Sequence, residues 1–276
     1  MSTLTETAYA KINLALHVRA RRSDGYHELE TLFAFVDTGD RLEATDADDV
    51  KLSISGPFSS DIECNDSNLV IQTANLMRQH FNVQAGASLT LQKNLPVSSG
   101  IGGGSADAAA AARLLNRLWR LDASDIELEV LLAPLGADIP ACVASRTVIG
   151  GGTGTDLRPV AQDTFAGMPI LLVNPLEPVA TSAVFANWDG VDRGALGAPG
   201  AMSTMLEGRN DLEPMAMAIC PAITEILKAL KQTCPRVARM SGSGATCFAL
   251  YDLIDNRNEA EKCINPAWWR LAGKLR

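Results

Sequence analysis

The chain has 276 residues, of which 47% are hydrophobic, and a formal net charge of −8 from 32 acidic and 24 basic side chains. This length is enough for one large domain or two packed domains, and the composition is that of a globular protein rather than a disordered one. An acidic surface is a poor electrostatic match for a phosphate backbone, so nucleic acid is excluded as a partner.

The cysteine and hydropathy patterns indicate a reducing, aqueous compartment. The six cysteines form no C-x-x-C pair and there are only three histidines, which excludes a zinc site with the usual ligand spacing. Lys11 interrupts the first apolar run, which removes the pattern of a secretory signal, and no window approaches 18 apolar residues. We therefore predict a cytoplasmic protein that neither spans nor binds a membrane.

The N-terminal part is predicted to begin with strands. Residues 7–19 alternate between apolar and polar side chains, which indicates a half-buried strand with one polar face that carries Lys11 and Asn13. Further strands are expected in the same part of the chain at 29–35, 50–54 and 87–92.

Helices and further strands follow without regular alternation. Helices are predicted at 68–81, at 105–121, directly after Ser124 and at 219–232, strands at 170–173, 238–240 and 246–251, and an exposed loop at 192–203. This order predicts an α+β fold rather than a doubly wound parallel sheet. The glycine-rich stretch 150–158 is the expected boundary between an N-terminal domain, 1–158, and a C-terminal domain, 159–276.

The strongest chemical signal is a run of small residues, 96–106, between a predicted strand and a predicted helix. Four of the five positions from Gly100 to Gly104 are glycine, which exceeds what a plain strand–helix connection needs. Glycines let the backbone approach a ligand closely, and the N–H groups at a helix N-terminus favour an anion. We therefore predict that this loop binds phosphate.

Three common phosphate or nucleophile loops do not fit this run. No Lys-Ser or Lys-Thr follows the last glycine, as a Walker A loop would need. Counted from Gly100, the sixth position of a dinucleotide fingerprint is Ser105, where Gly or Ala is expected. Asp107 stands where a nucleophile elbow would have glycine. A less common nucleotide loop remains.

Three motifs resemble those of the GHMP kinase superfamily, in the same order and with similar spacing. They are Ala-Lys-Ile-Asn-Leu at 10–14, Gly-Ile-Gly-Gly-Gly-Ser at 100–105 and Ser-Gly-Ser-Gly-Ala at 241–245. Three further segments, 24–27, 136–140 and 210–214, resemble the branch that acts on a cytidine-diphosphate-linked methylerythritol. The resemblance covers nearly the whole chain.

This resemblance implies both a fold and a reaction. The fold would be the two-domain GHMP kinase fold, with an N-terminal domain like ribosomal protein S5 domain 2 and a ferredoxin-like C-terminal domain. The reaction would transfer the terminal phosphate of ATP, with Mg²⁺, to the tertiary 2-hydroxyl of the methylerythritol unit, in non-mevalonate isoprenoid biosynthesis.

The resemblance also implies that Lys11 and Asp138 are catalytic. Asp138 would accept the proton of the substrate hydroxyl, or chiefly orient the alcohol, because the transition state of phosphoryl transfer is loose. Lys11 would stabilise charge beside it. Without the resemblance, a turn or helix N-cap is the commoner place for such an aspartate, and a solvated strand edge the commoner place for such a lysine.

Other residues are implied to bind the two substrates. Asn13 would hydrogen-bond the alcohol, and Tyr26 and His27 would hold the cytosine by stacking and by an imidazole hydrogen bond. Thr181 and Phe185, four positions apart on one helix face, would flank the cytosine, although a phenylalanine packed in the core explains the pattern equally well. The residues expected to bind ATP are Lys93, Pro96, Val97, Ser98, Ser99, Gly100, Ile101, Gly102, Gly103, Gly104, Ser105 and Ala106.

Some positions depart from the family pattern. Ile101 stands where leucine is usual, which changes little in volume, and Thr155 stands where an acid is common, which leaves the role of residues 150–156 open. No acidic residue stands out as a Mg²⁺ ligand, so the metal is expected on the phosphates, Ser105 and water.

Three alternative functions stay open at this point. Another GHMP-type kinase acting on mevalonate, homoserine or a sugar would share Lys11 and the loop without needing Tyr26 and His27. A dinucleotide-dependent oxidoreductase would need an acid for the ribose, and Asp122 and Asp125 lie near the required distance. A non-catalytic module would bind nucleotide without turnover. The oligomeric state is open, with a homodimer as one option.

Overall fold

Strands and helices are mixed in the computed structural model, which describes residues 3–160, 164–197 and 202–276, with backbone only for 202–204. The strands are β1 (Leu4–Arg21), β2 (His27–Ala47), β3 (Val50–Ser55), β4 (Gly86–Gln92), β5 (Val148–Gly151), β6 (Asp156–Pro159), β7 (Pro169–Asn174), β8 (Val237–Met240), β9 (Cys247–Leu250) and β10 (Trp269–Lys274). The helices are α1 (Leu69–His80), α2 (Gly103–Trp119), α3 (Asp125–Leu132), α4 (Ile139–Ala144), α5 (Thr181–Ala186), α6 (Met202–Glu207), α7 (Glu213–Ile219), α8 (Ala222–Gln232) and α9 (Ile254–Cys263), with 3-10 turns at Ser59–Asp61 and Ala133–Leu135.

The chain forms two compact units, each assembled from separate segments. The first unit contains Met1–Lys11, Thr38–Val97 and Gly102–Ser145, and the second contains Ile12–Asp37, Ser98–Ile101 and Arg146–Arg276. The long strands β1 and β2 therefore contribute residues to both units. The division into domains 1–158 and 159–276 stays a prediction.

The first unit packs helices on a small sheet. Strand β3 runs parallel to β4, with Leu52 opposite Leu89, and the end of β2 runs antiparallel to β4, with Leu42 opposite Leu91. Helix α2 packs against α1 and α4. Its alanines at 108–112 are completely buried, because their small side chains let neighbouring elements approach closely.

The second unit contains two antiparallel arrangements of strands. In one, β5 pairs with β2 and with β6, so the glycine-rich stretch at 150–158 belongs to a β-hairpin. In the other, the strand order is β10-β7-β9-β8, and β7 is buried at every position. Helices α8 and α9 pack on this sheet, and α8 buries Ile223, Ile226, Leu227 and Leu230.

Most predicted elements are present, with corrected boundaries. The predicted helix 219–232 is present as α8, which begins three residues later, at Ala222, because α7 ends at Ile219. Pro221 disfavours the helical conformation of the preceding residue, and Cys220 is extended at φ −127°. The predicted loop at 192–203 has no regular structure through 197, residues 198–201 lie outside the described residues, and α6 already begins at Met202.

The first strand is longer than predicted and differs in its burial. It was predicted to be half-buried with one polar face, but Lys11, Asn13 and His17 on that face expose only 4%, 3% and 2% of their surface. Both faces of this part of the strand are covered by protein, so each polar side chain there needs a partner. Within the described ranges, no helix has both the length and the apolar character needed to cross a membrane.

Candidate active site

Lys11 and Asp138 form an ion pair in the first unit. The Nζ atom of Lys11 lies 3.0 Å from Oδ2 of Asp138, and their side chains are 5% and 38% exposed. Asp138 occupies the N-cap position of α4, yet its side chain makes no capping hydrogen bond. The carboxylate is therefore turned to the lysine and stays open to a ligand, rather than serving the helix.

Gly102 lies directly against this pair. Its φ is +64°, in the left-handed region, and a Cβ atom added there would be 2.9 Å from Cε of Lys11 and 3.9 Å from Oδ2 of Asp138. Glycine is thus required for both its conformation and its space. Helix α2 starts at the next residue, so its N-terminal N–H groups, which favour anions, begin beside Lys11.

Lys93 follows β4 and forms a buried triad with two carboxylates. Its Nζ atom lies 2.5 Å from Oδ2 of Asp40 and 2.6 Å from Oδ2 of Asp107, and the lysine side chain is only 1% exposed. Oδ1 of Asp40 accepts the backbone N–H groups of Asn94 and Leu95. The triad therefore joins β2, the chain after β4, and α2. Contact of Lys93 with adenine stays a prediction.

Burial and mutual charge shift the pKa values of Asp107 and Lys93 in this triad. Burial raises the pKa of Asp107 to about 8, and the negative charge of Asp40 adds to the rise, while Lys93 opposes it. Burial by itself would lower the pKa of Lys93, but the two carboxylates outweigh it and the net shift is upward. At neutral pH, Lys93 is therefore charged and Asp107 is protonated.

In the second unit, Asn13 is held by two hydroxyl groups. Its backbone N–H donates to Oγ of Ser241 at 3.1 Å, and its Nδ2 donates to Oγ1 of Thr31 at 2.7 Å. The Thr31 hydroxyl donates its own proton to the carbonyl of Ala15 at 2.8 Å, so it can only accept from Asn13. This arrangement fixes which end of the Asn13 amide faces Thr31.

The glycine turn 241–245 contacts the loop residues of the same unit. Oγ of Ser241 donates to the carbonyl of Gly100 at 2.9 Å, and the N–H of Thr246 donates to the carbonyl of Ser99 at 3.2 Å. A Cβ atom at Gly100 would lie 2.6 Å from the carbonyl oxygen of Gly244. The second and third of the sequence motifs therefore meet, at a distance that leaves no room for a side chain.

An aromatic cluster surrounds His27 in the second unit. Its ring centroid lies 5.0 Å from that of Phe185 and 5.6 Å from that of Trp188, which meets it edge-on at 84°. Burial, together with the nearby Arg21, lowers the pKa of His27, so the imidazole is neutral at pH 7. Among the described residues, neither Nε2 of His27 nor Nε1 of Trp188 has a hydrogen-bond partner. Buried polar atoms normally have a partner, so these two are an unusual feature of the cluster.

Tyr26 and Thr181, which were also predicted to bind the substrate, lie in the same unit. Tyr26 precedes the aromatic cluster and is 66% exposed, so its ring is available for stacking. Thr181 is on α5, four positions before Phe185 as predicted, and its hydroxyl lies 2.8 Å from that of Ser243. Thr181 therefore contacts the glycine turn.

Sequence reasoning missed several residues of these clusters. Trp188, Thr31 and Asp40 belong to no motif. Trp188 meets His27, Thr31 contacts Asn13 from 18 positions away and Asp40 contacts Lys93 from 53 positions away. The only available signal was Asp107, which follows the glycine run and falls inside a helix of alanines, where a charged side chain needs a partner.

Two family models match the chain. The model of the GHMP kinases N terminal domain matches residues 68–146, and that of the GHMP kinases C terminal matches residues 190–267. The chain is 51% identical to a 4-diphosphocytidyl-2-C-methyl-D-erythritol kinase of Sphingopyxis alaskensis, over 100% of this chain and 99% of the relative.

Solved structures have the same fold. A crystal structure of a 4-(cytidine 5'-diphospho)-2C-methyl-D-erythritol kinase matches with a TM-score of 0.80 and 29% identity, over 99% of both chains. A homoserine kinase from Cytophaga hutchinsonii matches with a TM-score of 0.77 over 100% of this chain and 95% of that one. Its 16% identity shows a shared fold alone.

Proposed function

Because the chain belongs to the GHMP kinase family and, within it, to the 4-diphosphocytidyl-2-C-methyl-D-erythritol kinases, we propose that it phosphorylates the 2-hydroxyl of 4-diphosphocytidyl-2-C-methyl-D-erythritol with ATP. The product would serve non-mevalonate biosynthesis of isopentenyl diphosphate. The observation that carries this proposal is the 3.0 Å contact of Lys11 with the accessible Asp138, beside the N-terminus of α2.

The ion pair suits transfer of a phosphoryl group to an alcohol. The Asp138 carboxylate would accept a hydrogen bond from the substrate hydroxyl, orient its oxygen for in-line attack and take up its proton. The transition state is loose and carries charge on the phosphoryl oxygens, so orientation is the larger part of this role. The Lys11 ammonium group would stabilise that charge and hold the carboxylate in place.

ATP is proposed to bind along residues 96–106, with its phosphates at the first turn of α2. The N–H groups of Gly103, Gly104 and Ser105 belong to that turn, where the helix dipole favours negative charge. Mg²⁺ would enter with the triphosphate. Over the part of the chain that the structure describes, no cluster of three or more His, Cys, Asp or Glu side chains could hold a metal. The ion would instead be bound by phosphates, water and the Ser105 hydroxyl.

The cytidine group is proposed to bind the aromatic cluster. Neutral His27 can donate from one ring nitrogen and accept at the other, which matches the mixed donor and acceptor edge of cytosine. Phe185 and the exposed Tyr26 would pack on the base, with Thr181 beside it. Asn13 would hydrogen-bond the alcohol.

Finer features of the fold are part of the same proposal. The antiparallel order β10-β7-β9-β8 with α8 and α9 supports a ferredoxin-like C-terminal domain, 159–276. The helices on β3 and β4 support an N-terminal domain, 1–158, like ribosomal protein S5 domain 2.

The test measures ADP release from MgATP with the cytidine substrate, in parallel with mevalonate and homoserine. We expect turnover with the cytidine compound alone, and Asp138→Asn should lower kcat by about 10²- to 10⁴-fold. Asp122→Asn is the matched control, because it makes the same chemical change at an exposed residue with φ +53°, which Asn tolerates. Turnover with another alcohol, or tight ATP binding without turnover, would contradict the proposal.

A further inference from the structure

Arg113, in the middle of α2, joins two elements of the first unit through its guanidinium group. Its Nε donates to Oε1 of Glu6 at 3.0 Å, and its Nη2 donates to the carbonyl of Thr7 at 3.1 Å, both on β1. Its Nη1 donates to the carbonyls of Cys142 at 2.8 Å and Val143 at 3.3 Å, at the end of α4. One planar group thus holds a strand and a helix together.

The helix end of this contact is one short helix away from Asp138. Helix α4 has six residues, so it is about 9 Å long, and Asp138 is the residue from which it starts. Its last turn is pinned by Arg113 and by Ser145, whose Oγ accepts from Nη1 at 3.2 Å and donates to the carbonyl of Cys142 at 2.5 Å. In a helix this short, a shift at the C-terminal end would be transmitted to Asp138 at the N-terminal end.

On β1, the contacts of Arg113 lie close to Lys11. Thr7, Tyr9 and Lys11 are alternate residues of β1, so their side chains share one face of the strand. The guanidinium carbon of Arg113 lies 5.9 Å from the centroid of the Tyr9 ring on this face. Arg113 therefore contacts β1 at Glu6, Thr7 and Tyr9, a few residues before Lys11.

We propose that Arg113 is a positioning residue for phosphoryl transfer, whose guanidinium group holds β1 against α4 and so keeps Lys11 and Asp138 at reacting distance. This inference rests on the proposed function, because it concerns the same catalytic pair. This bridging role requires arginine, because its planar guanidinium group can donate to β1 and α4 at once and the ammonium group of lysine cannot.

Arg117 is a matched control on the same helix, one turn later. Its Nη1 donates to Oε2 of Glu6 at 2.6 Å and its Nη2 to the carbonyl of Thr5 at 2.9 Å, so it makes a similar contact with β1. Its side chain is 47% exposed, compared with 16% for Arg113. Replacing Arg117 removes a strand contact and leaves the contacts with α4 in place.

The experiment compares Arg113→Met, Arg113→Lys and Arg117→Met with the wild type, in steady-state ADP release at a temperature where circular dichroism shows each variant folded. A displacement of about 1 Å costs about 10²-fold in rate, so we expect Arg113→Met to lower kcat by about 10- to 100-fold. The KM values for both substrates should stay within about twofold. Arg117→Met should keep kcat within about twofold, and Arg113→Lys, which keeps the charge, should lose at least about fivefold.

A double variant separates positioning from general damage to the fold. If Arg113 acts through Asp138, Arg113→Met should add no more than about threefold to the loss caused by Asp138→Asn alone. The inference would be overturned if the kcat losses of Arg113→Met and Asp138→Asn multiplied in the double variant. An equal kcat loss in Arg117→Met, or unchanged kcat in both Arg113 variants, would also overturn it. If Asp138→Asn itself keeps full activity, the proposed function fails instead, which is a distinguishable result. Should Arg113→Met not fold, Arg113→Lys with and without Asp138→Asn decides the same question.

Discussion

Replacing Gly102 with alanine should disable the proposed catalytic pair, Lys11 and Asp138, without removing either of its members. The new Cβ atom would lie 2.9 Å from Cε and 3.2 Å from Cβ of Lys11. Carbon atoms in contact rest about 3.5–4.0 Å apart, so the lysine must move by about 0.6 Å or more. Its side chain is 5% exposed and paired with Asp138, so this movement is taken up by the ion pair. We expect kcat to fall by about 10- to 100-fold.

The same substitution has a backbone effect that must be measured separately. A φ of +64° costs a residue with a Cβ atom about 1–2 kcal/mol, which should appear in the free energy of unfolding. Gly152→Ala is the matched control, because Gly152 has a φ of +63° and open space where its Cβ would be. It should lose similar stability and keep kcat within about twofold. Steady-state ADP release and urea unfolding measure both quantities, and equal kcat values in the two variants would refute the reasoning.

Three further predictions concern charge and stacking. Because the pKa of Asp107 is raised to about 8, the folded chain holds a proton that the unfolded chain has released above about pH 5. Stability from this group therefore falls as pH rises, by about 1.4 kcal/mol per unit up to about pH 8. Asp107→Asn should remove this slope in urea unfolding at pH 6, 7 and 8, and an unchanged slope would contradict it. Because the pKa of His27 is lowered, KM for the cytidine substrate should stay constant from pH 8 to pH 7 and rise only below the ordinary histidine range, while KM for ATP does not follow. If KM for the cytidine substrate instead rose as the pH increased, a neutral His27 imidazole would be contradicted. Phe185→Ala should raise KM for the cytidine substrate up to about tenfold, as expected for loss of an aromatic contact of about 0.5–1.5 kcal/mol, and steady-state kinetics with unchanged KM for both substrates would exclude that contact.

Elements whose signals are local could be predicted from the sequence. Helix α1 begins after Asn68, whose side chain accepts the N–H of Val70, and α3 begins after Ser124, whose side chain accepts that of Glu127. Such caps depend on residues two or three positions apart, so the sequence contains all that they need. The same is true of the glycine loop, where small residues and a following helix are read directly from the chain.

Contacts between distant elements were decided by the tertiary structure. Alternation along β1 indicates which side chains share a face, but it does not show that the polar face around Lys11 is buried, or that Asp138 is its partner. The sequence shows only that Lys93 precedes the glycine loop, and the fold places it between Asp40 and Asp107.

By itself, the sequence determined the family, the position of the glycine-rich loop and the order of most elements, because short motifs and local patterns carry each of these. Only the tertiary structure decided which charges meet. Arg113 contacts β1 across 106 positions and α4 across 29, and no spacing rule joins such segments. Their approach depends on how small buried side chains, such as the alanines of α2, let elements pack.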